Sequence, residues 1–237
     1  MEAVFYQLPS GIESETSERW GLAGLDALAR THVSKVIYHT GVQSPRNLAE
    51  LPGFKRDQLE ARVRAGAWQW AIIRPTFMLQ NLLLPYVIEP IRLRDSIVYP
   101  VASNVRLSWV AAEDVGRVTA RILAEDRSGW EINLGSAVQM DGEDLAAAFS
   151  RGLGRTIRFI SLPLDAFEHG VDAALGDGVG RRVSAIFRFI QRHPDDREFV
   201  SQVYSRVPGL DGFQPMPVDA WVKLHRDTFS AVTASTG

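Results

Sequence analysis

Two periods of apolar spacing alternate along the chain, and each switch between them marks a new element. Ala3–Leu8 (AVFYQL) is a short apolar run closed by Pro9-Ser10-Gly11, which predicts a buried strand. Glu15–Thr31 then repeats apolar residues at helical spacing (Trp20, Ala23, Ala27, Leu28), with Ser14 as a cap and Glu15 and Glu18 near the first turn. Lys35–Thr40 (KVIYHT) is a second strand, stopped by Gly41. A polar loop with Pro45 and Pro52 leads to a helix over Phe54–Ala65 and a third strand over Trp68–Ile73. Phe77–Ile91 has helical spacing with Pro85 as a kink.

Strands alternating with helices of this length indicate βαβ units and a parallel sheet. The pattern loosens between Pro90 and Leu107. It recovers with a helix over Glu113–Ala124 and a strand over Trp130–Leu134. Beyond that, helices are expected over Gly142–Gly152, Pro163–Leu175, Arg181–Tyr204 and Pro217–Ala231, with one strand near Arg158–Ser161. The expectation is an α/β protein. Residues 1–135 form a Rossmann-like sheet domain and residues 136–237 a mainly helical substrate-binding lobe, to which residues 90–106 contribute.

Composition narrows the partners. The net charge is −2, which removes any general electrostatic case for nucleic acid or an anionic membrane surface. There is no cysteine, so disulfides, thiolate catalysis and cysteine–zinc sites are excluded, and a reducing cytoplasm fits. The most apolar stretch, Trp68–Ile88, is interrupted by Arg74, Gln80 and Asn81, which argues against a membrane span. Met1–Tyr6 lacks the form of a signal peptide.

Five segments in order carry a family likeness: HVSKVIYHTG (His32–Gly41), LEARVRAGAWQWAIIRPTFMLQNLL (Leu59–Leu83), LSWVAAEDVGRVTARIL (Leu107–Leu123), the run Trp130–Phe167 and MPVDAWVKLHRDTF (Met216–Phe229). Together they resemble the NmrA-like branch of the atypical short-chain dehydrogenases/reductases, over residues 2 to 229. The family's sheet opens on a glycine-rich phosphate turn. Here that turn is absent, and Ala3–Leu8 is similar to the family's fourth strand. The resemblance thus implies a truncated Rossmann domain, short by on the order of 70–80 residues at about 30 per βαβ unit. Gly176-Asp177-Gly178-Val179-Gly180 has the wrong spacing and follows a helix, so it reads as a hinge.

Active members of the wider superfamily use a Tyr and, four residues on, a Lys. The matching positions here are Pro52 and Arg56, and the strand-end hydroxyl is Thr40. The expected chemistry is therefore acid/base work without nicotinamide (an isomerase, cyclase or lyase on a small organic molecule), with His39 and Thr40 catalytic. His39 alternatively serves as a histidine bonded to backbone. Expected substrate contacts are Ser10, Gln43, Lys55, Arg56, Arg74, Thr76, Phe77, Asn81, Phe167 and His169, near strand carboxyl ends or on the lobe helix that roofs them. Arg74 reads either as an anion clamp or as a structural cap, and Asp114 as a helix-start partner. No metal site is expected. Two alternatives stand beside this reading: an NAD(P)-binding oxidoreductase of the family, and a non-enzymatic ligand sensor. As an edge, Ala3–Leu8 invites pairing, so a homodimer or higher oligomer through the N-terminal strand region is also expected.

Overall fold

The computed structural model describes residues 2–8, 14–41 and 57–230. Its first sheet collects the apolar runs. Strand β1 (Ala3–Gln7) is followed by helix α1 (Ser14–Leu28), β2 (Lys35–His39) by α2 (Asp57–Arg64), and then comes β3 (Gln69–Pro75). All pair in parallel, Ala3 opposite Lys35 and Lys35 opposite Gln69. Next come β4 (Phe77–Met78), a 3-10 turn over Leu79–Leu83, α3 (Pro85–Arg94), β5 (Ser96–Tyr99), β6 (Trp109–Val110) and α4 (Ala112–Ala124). Strand β7 (Trp130–Leu134) closes the sheet, in the order β1-β2-β3-β7.

Every residue of β2 is buried, as expected of a strand covered on both faces. Val36 and Tyr38 pack with Leu25, Leu59 and Val63 under α1 and α2. Ile37 packs with Ala71, Ile73, Val118 and Ile122 under α4. Strand β1 stands at the edge of this sheet and alternates between exposed and half-buried residues. The strand is thus not buried as expected: Phe5 is 45% exposed and packs against the His39 ring at 5.7 Å.

The second half forms α5 (Gly142–Leu153), β8 (Arg158–Ser161), α6 (Leu164–Leu175), α7 (Val179–Val183), α8 (Ala185–Arg192), α9 (Glu198–Ser201), α10 (Val218–Leu224) and α11 (Arg226–Phe229). One core unites residues 77–111 with residues 145–229, around Trp109, Phe149, Trp221 and Phe229. Polar lashings hold the last helices down. Arg155 donates to the carbonyls of Ile91 and Phe229, Arg92 to that of Thr228, and Arg226 to that of Gly152.

Several expected boundaries shift. Pro85 does not kink a long helix; it is the first residue of α3, where its missing N–H costs nothing. The stretch expected as one helix over 181–204 is three short ones, interrupted by Ser184 and by residues 193–197. Gly176 and Gly178 adopt φ of 103° and 76° in the turn between α6 and α7, the left-handed region that favours glycine. Among the described residues no helix is long and apolar enough to cross a membrane.

A buried charge ties sheet to helix. The Lys35 ammonium lies under the end of α4 and donates to the carbonyls of Ile122 (2.8 Å) and Glu125 (2.5 Å). These are carbonyls a helix end leaves without partners, at the negative pole of its dipole. Lys35→Met keeps the apolar stem and removes both bonds. It is expected to lower stability by about 1–3 kcal/mol, read by urea unfolding.

Candidate active site

The carboxyl ends of the parallel strands converge on one edge, where ligands bind in open α/β sheets. The hydrogen-bond ladder runs one residue past the strands. Thr40 N–H donates to the Ile73 carbonyl and Thr76 N–H to the Leu134 carbonyl, both at 3.0 Å. Both threonines are buried. The Thr76 hydroxyl sits 3.5 Å from the Leu134 carbonyl.

His39 ends β2 and is 4% exposed. Its Nδ1 accepts the Gly41 N–H at 3.3 Å, which leaves the ring proton on Nε2. Burial pushes its pKa down to about 4, so the imidazole is neutral at physiological pH. As placed, it is a hydrogen-bond donor and not an imidazolium acid.

Arg74 is committed to carboxylates. Its guanidinium donates two hydrogen bonds to Glu60, at 2.7 and 2.5 Å, and reaches Glu131 at 2.6 Å. Arg64 bridges the same two acids at 2.8 Å each. Burial disfavours the Glu60 charge, but Arg74 and then Arg64 outweigh it and hold the carboxyl below its usual range. The ring of four charges clamps α2 to β3 and β7, so the structural alternative for Arg74 describes it better than an anion clamp does.

Beyond Thr76 the chain enters an aromatic cluster. Phe77 meets Trp109 at 5.4 Å and Phe187 at 6.0 Å. Phe187 also meets Tyr99 and Phe167, each at 5.5 Å, and Phe167 meets Tyr86 edge-on at 5.5 Å. Asn81 lies beside the Tyr99 hydroxyl and lowers its pKa, against burial. Burial raises the pKa of Tyr99, with a contribution from Tyr86, and pushes Tyr86 up to about 12. Both phenols therefore stay protonated. Tyr86 is the half-buried member through which the cluster reaches the surface, beside half-buried Asn81.

The structure thus brings together Thr76, Phe77, Asn81 and Phe167 from the expected set. His39 and Thr40 end the adjacent strand. His169 is exposed on α6. Ser10, Gln43, Lys55 and Arg56 lie outside the described residues. Asp114 is buried, accepting from Met216 N–H and from Arg117, so it pins the segment before α10. Tyr86, Tyr99 and Trp109 were not expected at the site. Tyr99 lies in the stretch where periodicity loosens, and Tyr86 and Trp109 flank it.

A second polar node closes the far side. Ser108 and Ser136 hydroxyls lie 2.9 Å apart, and each also takes a backbone N–H. Between them and the Gln202 carbonyl sits Gly135, where a Cβ would come within 2.1 Å of that oxygen.

Residues 2–219 match the NmrA-like family. The chain belongs to that family. An NAD(P)H azoreductase of Xenophilus azovorans is 23% identical over 214 residues, covering 88% of this chain and 71% of the relative. A triphenylmethane reductase of Citrobacter sp. superposes with a TM-score of 0.69 at 14% identity, covering 95% of this chain and 76% of that one. An NADPH-dependent quinone oxidoreductase of Escherichia coli, complexed with NADPH, gives 0.66 at 16% identity, covering 94% and 76%.

The NmrA-like fold implies a nicotinamide dinucleotide, and the described residues do not fit its diphosphate. A diphosphate seeks a helix N-terminus free of carboxylates. The helices that follow sheet strands open instead on Glu15, on Asp57 and Glu60, on Glu113 and Asp114, and on Glu143 and Asp144. Gly180, in the glycine run, packs against the Glu168 backbone, where a Cβ would come within 2.3 Å of its carbonyl.

The His39 shift has a signed consequence. Between pH 6.5 and about 4 the unfolded chain binds a proton at His39 that the folded chain does not, so stability falls as pH falls across that window. The loss is at most about 3 kcal/mol. His39→Gln is expected to flatten this part of the stability profile relative to the unaltered protein, measured by urea unfolding across the window.

Proposed function

We propose that this NmrA-like protein takes part in NAD(P)H-linked reduction of a planar aromatic acceptor of the quinone, azo or triarylmethane class, and that the described residues form the acceptor side of its site. The observation that carries this reading is the aromatic cluster at the carboxyl end of β3, with half-buried Tyr86 at its rim. A flat apolar acceptor stacks on or beside such rings, and a protonated phenol donates to its carbonyl oxygen or azo nitrogen. The relatives named above support the NAD(P)H part, being an azoreductase, a dye reductase and a quinone oxidoreductase.

Within this reading each residue has a defined task. Tyr86 donates a hydrogen bond to the acceptor atom that gains electron density. Asn81 lies beside the Tyr99 hydroxyl, at the buried end of the cluster. His39 and Thr40 shape the neighbouring strand end, His39 offering a neutral N–H. The nicotinamide-free isomerase, cyclase or lyase reading gives way here, because its acid/base group is neutral, buried and already bonded through Nδ1.

Titrating the protein with a benzoquinone and following tryptophan fluorescence tests the acceptor site, since Trp109 lies in the cluster. Saturable quenching is expected, with the dissociation constant raised about ten-fold in Tyr86→Ala, equivalent to about 1.4 kcal/mol. Failure of a quinone, an azo dye and a triarylmethane dye to bind would defeat the acceptor reading. Binding without any acceptor-dependent loss of NADPH absorbance would defeat the NAD(P)H part.

A further inference from the structure

One helix face points into solvent with a pattern that matches itself. Pro85, Ile88, Glu89, Arg92 and Leu93 line an open groove of about 450 Å³ along α3. Their spacing (i, i+3, i+4, i+7, i+8) makes a single stripe about 12 Å long at 1.5 Å per residue. Leu93 is 67% exposed, and Leu84, just before the helix, is 39% exposed. The opposite face carries Val87, Pro90 and Ile91 into the lobe core. Ile88, half-buried against the lobe core, lies between exposed Leu84 and Leu93, with Glu89 and Arg92 interleaved.

The charges on the stripe indicate what covers it. Among the described residues neither Glu89 nor Arg92 has an ion-pair partner. Arg92 uses only its Nε, which donates to the Thr228 carbonyl at 2.6 Å. A two-fold axis crossing α3 between Pro90 and Ile91 sets Ile88 against Leu93 of the partner subunit and Glu89 against Arg92 of the partner subunit. By symmetry each contact occurs twice. Such a patch is its own complement, the condition for an isologous dimer. A stripe matching an unrelated partner would have no reason to satisfy this rule.

We infer that α3 is a self-association face, on which two copies of the chain pair antiparallel through Ile88 and Leu93 and are held in register by Glu89 and Arg92. One short helix gives an interface at the small end of specific contacts, under about 1,200 Å² in total. The dimer is therefore reversible, with a dissociation constant of about 10–100 µM expected for so small a contact.

Sedimentation equilibrium of the full chain over about 1–200 µM brackets that constant and tests this. The unaltered protein is expected to show a reversible monomer–dimer equilibrium. Glu89→Arg alone sets Arg against Arg, and Arg92→Glu alone sets Glu against Glu, so each is expected to weaken the dimer about ten-fold or more. Mixing the two variants restores both opposite-charge pairs and is expected to give a heterodimer as tight as the original. Leu93→Asp weakens association without touching the Arg92 bond, and circular dichroism confirms that each variant folds. A monomer throughout the range overturns the inference. So does a dimer that none of these substitutions weakens, in which case the contact lies elsewhere, the β1 edge being one such surface. Failure of the folded variants to form a heterodimer also overturns it.

Discussion

Two backbone hydrogen bonds, Thr40 to Ile73 and Thr76 to Leu134, carry the sheet's register one residue beyond its strands, and the site depends on them. They hold the carboxyl ends of β2, β3 and β7 level. They also deliver Phe77 to a fixed point, where its N–H meets the Ser108 carbonyl and β4 pairs with β6. From that point the chain becomes lobe. A register slip at Thr76 would turn Phe77 away from Trp109 and Phe187 and separate sheet from cluster.

Charges in this protein serve architecture at the places where a sequence reader looks for chemistry. Lys35 caps α4, Arg74 and Arg64 share Glu60 and Glu131, and Asp114 anchors the segment before α10. Each is bonded on several sides, as a buried or half-buried charge must be. Among the described residues near the strand ends, the groups outside these ion pairs are mostly neutral: an imidazole held uncharged and two protonated phenols. Such a set suits orienting a polarisable acceptor. It does not supply a charged acid or base of its own at neutral pH.

The sheet was readable because KVIYH and the run ending in Arg74-Pro75 are continuous apolar segments with turn residues after them, and burial on two faces demands that pattern; AVFYQL reads the same way, yet at the sheet edge it is only half-buried. The loosened stretch after Pro90 was not readable. Strands β5 and β6 are only four and two residues long, too short for a period to show. Pro85 carried two opposite meanings, kink or helix start, and only the packing of Val87, Pro90 and Ile91 decides between them. His39 and Arg74 were legible as candidates but not as roles, because the state of His39 is set by its burial in the fold and that of Arg74 by Glu60 on α2 and Glu131 across the sheet. Tyr86 and Tyr99 escaped notice because single aromatic residues in a helix or a short strand look like core until the cluster around Phe187 is assembled.

The central claim is that the cluster beside Thr76 is where an acceptor binds. Amide hydrogen exchange with and without a saturating quinone tests it most directly. The account predicts added protection over Phe77–Tyr99, greatest around Asn81 and Tyr86, with residues 204–215 unchanged. Protection confined to residues 204–215, or to the α3 stripe beyond Tyr86, would contradict it.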